Sequence, residues 1–429
     1  MIDRRRLLAT AAAQALPLLA RGANAQTAID SAPLLQREID AAAKLGRVVS
    51  IPSGISYVSH LRLSENVRLV GAGRASRLVA LGPGPMLAIE RAESVAIENI
   101  GFDGSGRAPG GEAGLIEASN VADLRIVDCQ VEHARGHGLR LERCGGRVER
   151  SNFADLFESA LFSMDGLGLS VIDNTIRQCG NNGLQIWRSA KGDDGTIVRG
   201  NHIARVRADR GGDGPYGNGI SVFRAGGVLS QGNVVRGCAF SGIRYNAGSD
   251  ASISGNSCAD LGETAIYVEF SFEGAVIEGN FVDGAAVGIS ITNFDQGGRV
   301  AACSGNVVRN IDRPLPQGAG LSGLGIHAEA DTVVSGNAID HASGAGLSIG
   351  FGSGLRNVVA SANSVSDCEF GAAISVAPGA GSASLTGNSF ARSRRGAVVG
   401  MAYDKIVADD LVAQAGRYPQ LTITGNVVR

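Results

Sequence analysis

The chain has 429 residues, 62 of them glycine, with 39 basic and 41 acidic side chains and a formal net charge of -2. That balance leaves nothing basic enough for a nucleic-acid partner. A chain of this length exceeds what one compact core usually holds, yet no Pro-rich or Ser-rich linker divides it and glycine is spread throughout, which points to an architecture that grows in one dimension.

Residues 1–25 read as an export signal. Arg4 and Arg5 stand before Arg6, Leu7 and Leu8, a short apolar stretch follows, and Ala23-Asn24-Ala25 offers small residues to a signal peptidase. Gln14 and Pro17 interrupt the apolar stretch, which is too short to span a bilayer. The layout resembles a twin-arginine signal, which implies the twin-arginine export machinery as a partner and a periplasmic or secreted destination. The signal carries four arginines and one aspartate, so the processed chain would have a net charge of -5 and would not be an integral membrane protein.

Residues 26–46 hold "SAPLLQREIDAAAKLG", which predicts a short helix with Ser31 as N-cap, Pro33 in the first turn, Leu35, Ile39 and Ala42 on one face and Gly46 as the stop. From residue 47 to 429 a single repeat dominates. Its anchors are Asn174, Asn201, Asn233, Asn256, Asn280, Asn306, Asn337, Asn363, Asn388 and Asn426, eight of the ten preceded by glycine, with Asn152 and Cys129 as weaker upstream members. Nine residues after most of them an alternating segment opens, as in "GLQIW" at 183, "GISVF" at 219, "GIRYN" at 242, "AIYVE" at 265, "GISIT" at 288 and "GIHAE" at 325. The commonest period, 23 residues, is that of a solenoid, with strands too short and too alternating for a helix per repeat. Each Gly-Asn is read as a corner, glycine taking the positive φ and the asparagines stacking along the axis as an amide ladder, so the asparagines are structural. The segment 402–420 breaks the rhythm, and part of 402–417 looks helical.

This pattern resembles the right-handed parallel β-helix of the pectin-lyase-like superfamily, and with the export signal it resembles exported bacterial repeat proteins without assigned activity. The resemblance implies an all-β fold with a short N-terminal capping helix. It says little about chemistry, since lyases, hydrolases, epimerases and adhesins share the scaffold. The Asp-Pro-His-Asp signature of the similar alginate epimerases is absent. Cys179, Cys238 and Cys368 fall in a column that elsewhere holds Leu261, Ala285, Val206 and Ala342, so they are expected to be core thiols.

Coils in register place column neighbours about 4.8 Å apart. The third residues of the strands give Gln185, Ser221, Arg244, Tyr267, Ser290 and His327, and the fifth give Trp187, Phe223, Asn246, Glu269, Thr292 and Glu329, all expected to point outward into a groove. Two long insertions, "VRADRGGDGPYGN" and "IDRPLPQGAGLSGLG", bracket the coils that hold Arg244, Tyr267 and Glu269. Arg244 beside Tyr267 suits β-elimination on a uronic acid, the cation neutralising the carboxylate and the phenol serving as acid. Glu269 and Glu329, about 9.6 Å apart in one column, are a candidate hydrolytic pair, and His327 completes the catalytic candidates. Trp187 and Phe223, followed by Arg188 and Arg224, form a candidate sugar platform, with Asn246 and Asn293 as further polar contacts. A loop over 207–217 folded across both rings is the alternative.

"KGDDG" at 191–195 could lend carboxylates to Ca2+, though it lacks the spacing of a dedicated loop and reads as a solvated turn; no cofactor or metal is expected to be required. His133 and His137 sit in a turn between strands, outside helical metal-ligand reasoning. The sequence therefore implies a carbohydrate-active protein binding an extended, acidic polysaccharide across 183–329, cleaving it by β-elimination or, next, by hydrolysis. A non-catalytic β-helix that binds glycan or a cell-envelope partner with the same residues stays open.

Overall fold

The corner residues set the fold. The residue before each anchor asparagine lies in the left-handed region, at φ 66° in Gly200, 62° in Gly232 and 61° in Gly255, and also in Asp173 at 55° and Ala362 at 54°, where no glycine is present. In the computed structural model, which describes residues 28–107, 110–212, 214–292, 297–316, 318 and 320–429, this turn recurs coil after coil. The export signal read at 1–25 and the candidate Asn293 lie outside the described residues.

Behind each corner the asparagine side chain turns inward. Its backbone N–H and its Nδ2 both donate to the Oδ1 of the next asparagine at 2.9–3.0 Å, from Asn174 through Asn256 to Asn426. The remaining Nδ2 hydrogen goes to a carbonyl such as Ser230 O, at 2.9 Å from Asn256. Upstream the rung belongs to Ser151 and not to Asn152: the Ser151 N–H donates to Asn174 Oδ1 and its Oγ accepts from Cys129 N, while Asn152 pairs one position further along the strand with Thr175. Serine can occupy the rung because its short hydroxyl satisfies the same backbone N–H.

Each coil then adds one strand to each of three parallel ladders. The first face carries strands such as Val234–Cys238 and Phe281–Ala285, the second Asn182–Asp193, Asn218–Gly226, Ile243–Asn246, Thr264–Glu269, Val287–Ile291 and Leu324–Ala328, and the third Ser249–Ser254 and Glu273–Glu278. Inward-pointing aliphatic residues from all three faces fill one continuous core. All seven cysteines are buried and unpaired within it. Burial pushes the thiols of Cys129, Cys179, Cys258 and Cys303 up to about 12, so they remain protonated.

The near end is covered by the helix Ala32–Leu45, which buries Leu35, Ile39 and Ala42 and stops at Gly46, φ 61°. Ser31 makes no side-chain cap; Asp30 Oδ1 takes the Ala32 N–H instead, at 2.9 Å. At the far end the expected helical character is confined to a 3-10 turn, Ala415–Arg417. There Gly396–Ala402 pairs antiparallel with Lys405–Ala408, and Leu411, fully buried, plugs the last coil, so apolar burial overrides local helix propensity. Among the described residues no helix is long and apolar enough to cross a membrane.

The faces differ in their outer surfaces. Strands of the first and third faces alternate buried and exposed residues, whereas Val287–Ile291, Leu324–Ala328 and Ala345–Ile349 on the second face are buried throughout. Something covers the second face from outside, and that covering makes the site.

Candidate functional site

Strand alternation puts residues of one column on the same side, and the ladders confirm the columns. Gln185 pairs with Ser221, Ser221 with Arg244, Arg244 with Tyr267, Tyr267 with Ser290, Ser290 with His327 and His327 with Ser348; Trp187 pairs with Phe223, Phe223 with Asn246 and Asn246 with Glu269. The expected open groove is corrected by their burial. Arg244, Glu269, His327 and Glu329 point away from the core yet are only 9, 2, 4 and 5% exposed.

The two insertions provide the cover. The first insertion is strapped down at Arg210, Gly214 and Pro215: Asn182 Nδ2 donates to Pro215 O at 3.0 Å, Asn218 Nδ2 to Gly214 O at 2.8 Å, and the Arg210 N–H to Asn181 Oδ1 at 2.9 Å. The Arg210 guanidinium reaches Glu158 at 2.9 Å and Glu112 at 3.1 Å. Burial pushes the Glu158 carboxyl up, against the opposing pull of Asn181 and Arg210. Gly214 lies directly over Arg244; a β-carbon there would come within 2.5 Å of both terminal nitrogens, and its φ of 148° already favours glycine. From the other side Leu315, Gly320 and Leu321 of the second insertion close over Tyr267 and His327.

These covers leave two clefts. The first, of 490 Å³, is walled by Trp187, Phe223, Pro215, Phe270, Arg244 and Asn246. Gly214 and Pro215 of the first insertion form its opposite wall and leave the rings half-exposed, so the loop is not folded across them. The rings continue an aromatic run along the axis, from His137 to Phe162 at 5.2 Å, Trp187 at 5.5 Å and Phe223 at 5.7 Å between centroids. Arg224 stacks on Phe223 at 4.6 Å and donates to Ser189 O; Arg188 is half-buried, its Nε without a partner. The second cleft, of 290 Å³, brings together Glu263, Tyr267, Ser290, Thr292, His327 and Glu329.

A buried ion pair divides them. Arg244 Nε donates to Glu269 Oε1 at 2.6 Å, Asn246 Nδ2 to the same oxygen at 2.8 Å, and Arg244 Nη1 lies 3.7 Å from Glu263 Oε2. The Tyr267 ring stacks against the guanidinium at 5.0 Å. Burial works against the charge on Arg244, but Glu269 and Glu263 outweigh it and push the pKa of the guanidinium up. Burial, reinforced by Glu269, raises the Tyr267 phenol, so it stays protonated at neutral pH. Glu269 lines neither cleft, so it and Glu329 do not face each other across one cavity. In the second cleft His327 Nδ1 meets Ser348 Oγ at 2.9 Å and Nε2 lies 3.4 Å from Glu329 Oε1.

Glu263, Phe162 and the straps Asn182 and Asn218 escape the column reading. The straps have a legible signal, since Asn-Gly opens both strands. Glu263 sits just outside the five-residue segments, where no periodicity applies, whereas Phe270, directly before the run "SFEGAV" that continues the groove beyond Glu269, does line the first cleft.

The family model "Periplasmic copper-binding protein (NosD)" matches residues 191–404, and "Right handed beta helix region" matches 84–203. No curated protein matches the chain. Among solved structures it is similar to a mannuronic acid specific polysaccharide family 6 lyase from human gut microbiota, at 16% identity and TM-score 0.50, covering 89% of this chain and 92% of that one. An alginate lyase complexed with trisaccharide gives 12% and 0.45 over 92% and 93%, and PfbA, a surface adhesin of Streptococcus pneumoniae, 11% and 0.42 over 93% and 90%. At such identities the likeness is one of fold. With its three parallel ladders and the helix at one end, the chain is a right-handed parallel β-helix protein.

Proposed function

We propose that this is an exported, periplasmic or secreted carbohydrate-active protein that seats an extended acidic polysaccharide along its second face and cleaves it by β-elimination in the second cleft. The observation that carries the reading is the placing of a buried, oriented His327 and a protonated Tyr267 in one cleft, which begins two coils beyond an aromatic shelf suited to sugar rings. In the tautomer that gives Nδ1–H to Ser348, His327 Nε2 accepts the proton α to the uronate carboxylate, and Glu329 stabilises the imidazolium that forms. The electron pair released by that C–H bond expels the glycosidic oxygen, which takes the Tyr267 proton.

One observation favours the second reading, a non-catalytic glycan-binding or envelope-binding β-helix: Arg244 is already committed to Glu269, so the cation that elimination needs is not at hand beside Tyr267. Copper, which the matching family's name carries, does not suit these residues. The thiols are buried and protonated. Of the two three-residue groups with metal-ligand spacing among the described residues, Asp103, Glu132 and His133 share their carboxylates with Arg77, and in Asp340, His341 and Asp367 the last pairs with Arg392.

The test follows unsaturated uronates by absorbance, and reducing ends, on acidic and neutral polysaccharides. A lyase raises both signals, a hydrolase only the second, and a binding protein neither while it is still retarded on a glycan gel. For a lyase, His327→Gln and Tyr267→Phe should each lower turnover about 100-fold or more, whereas Trp187→Ala should weaken retention about tenfold. Wild-type turnover in both cleft variants would remove this cleft from the mechanism.

A further inference from the structure

Next to the aromatic shelf, the strand that carries Trp187 runs on through the "KGDDG" turn, and the two aspartates there part company. Asp193 is exposed, while Asp194 is 6% exposed. Asp194 Oδ1 accepts from the Thr196 hydroxyl and from its N–H. Oδ2 is buried with no hydrogen-bond partner in the protein, and so is Ser163 Oγ, on a residue 1% exposed in the preceding coil. Both oxygens converge on one spot, the bare Cα of Gly166. A β-carbon on Gly166 would lie 3.0 Å from Asp194 Oδ2, 3.1 Å from Ser163 Oγ and 3.3 Å from Asp194 Oδ1.

Among the described residues no cation pairs with this carboxylate. Lys191 in the same turn points elsewhere, to Ser271 O at 2.6 Å and Glu273 at 3.8 Å. A buried carboxylate lacking both a counter-ion and a full set of hydrogen bonds is strongly unfavourable. Oxygen donors drawn from adjacent coils around a point that no side chain fills are the kind of ligand a hard cation takes.

We propose that Asp194 and Ser163, converging on Gly166, bind a hard, oxygen-ligated cation, Na+ or Ca2+, that cross-links two coils at the base of the Trp187 strand. Asp194 supplies the charge and Ser163 a neutral ligand. The glycine at 166 is needed because any side chain would occupy the same space.

The test is thermal unfolding of the full processed chain, stripped with chelator and exchanged into choline chloride. NaCl is then added against choline chloride of equal ionic strength, and CaCl2 against MgCl2. One of the two cations should raise Tm by roughly 1–4 °C at saturation; which one does so identifies the ion. Asp194→Asn should abolish the shift, and Ser163→Ala should move its midpoint to higher cation concentration. Absence of a shift in the wild type, or an undiminished shift in Asp194→Asn, overturns the site. Should Asp194→Asn fail to fold, Ser163→Ala decides: a midpoint identical to wild type overturns the proposal.

Discussion

Replacing Glu269 by glutamine tests how the partition between the clefts is held. The side chain is 2% exposed, and its Oε1 accepts at 2.6 Å from Arg244 and at 2.8 Å from Asn246. Glutamine preserves the shape and an acceptor but leaves the buried guanidinium with Glu263, 3.7 Å away, as its main counter-charge. Breaking a buried pair on one side costs about 3–5 kcal/mol, and the residual attraction of Glu263 places this substitution at the lower end, about 3 kcal/mol. Urea unfolding followed by Trp187 fluorescence reads the loss as a lower midpoint; an unchanged m-value shows that the coils still unfold together. Replacing Arg244 and Glu269 together by leucine should recover part of it, because neither member of the pair is then stranded and Glu263 keeps the Ser241 hydroxyl as a donor. A loss below about 1 kcal/mol for the single variant, or a double variant worse than either single one, would falsify the view of this pair as a buried, mutually dependent wall.

Asn256→Ala should cost about 3 kcal/mol, since it removes an oxygen that accepts from two donors of Asn233 and a donor to Ser230 and Asn280, whereas Asn426→Ala at the part-buried end of the spine should cost under about 1 kcal/mol; equal losses in urea denaturation count against the ladder. His137 is held neutral, its pKa lowered to about 3 by burial first and then by Arg140 and Arg210. A depressed folded value means that its contribution is complete above about pH 6.5 and is lost as pH falls toward 3, up to about 3 kcal/mol by pH 4; His137→Gln should flatten the dependence of Tm on pH in that window, and an unchanged slope refutes it. None of the seven buried thiols should react with a thiol reagent until denaturant is added, when all seven should titrate; a fast native thiol contradicts the core placement.

The spine was legible because a corner needs the same chemistry each time: Asn256 and Asn280 repeat one solution at one spacing. Ser151 was not, because a hydroxyl meets the same N–H with a different residue. The columns Trp187–Phe223 and Arg244–Tyr267 follow from strand period alone. Their burial does not, since it depends on where Gly214 and Pro215 of one insertion and Leu315 and Leu321 of the other lie, and loops with no period leave no trace of their path. The Asp194 carboxylate illustrates the same limit: "KGDDG" reads as a solvated turn, and only the fold separates the exposed aspartate from the inward one.

The spine also has a metrical property. Successive rungs are separated by 23 residues between Asn233 and Asn256, 32 between Asn201 and Asn233, and 38 between Asn388 and Asn426, yet the joining bond from backbone N–H to Oδ1 stays at 2.9–3.0 Å. Chain length and axial rise are thus uncoupled: the nine additional residues between Asn201 and Asn233 bulge sideways without lengthening the rod. Such a scaffold can acquire, lose or exchange a wall of either cleft without renegotiating the rest of the molecule, and a designer could graft a foreign loop at a second-face corner and expect the neighbouring coils not to register the change.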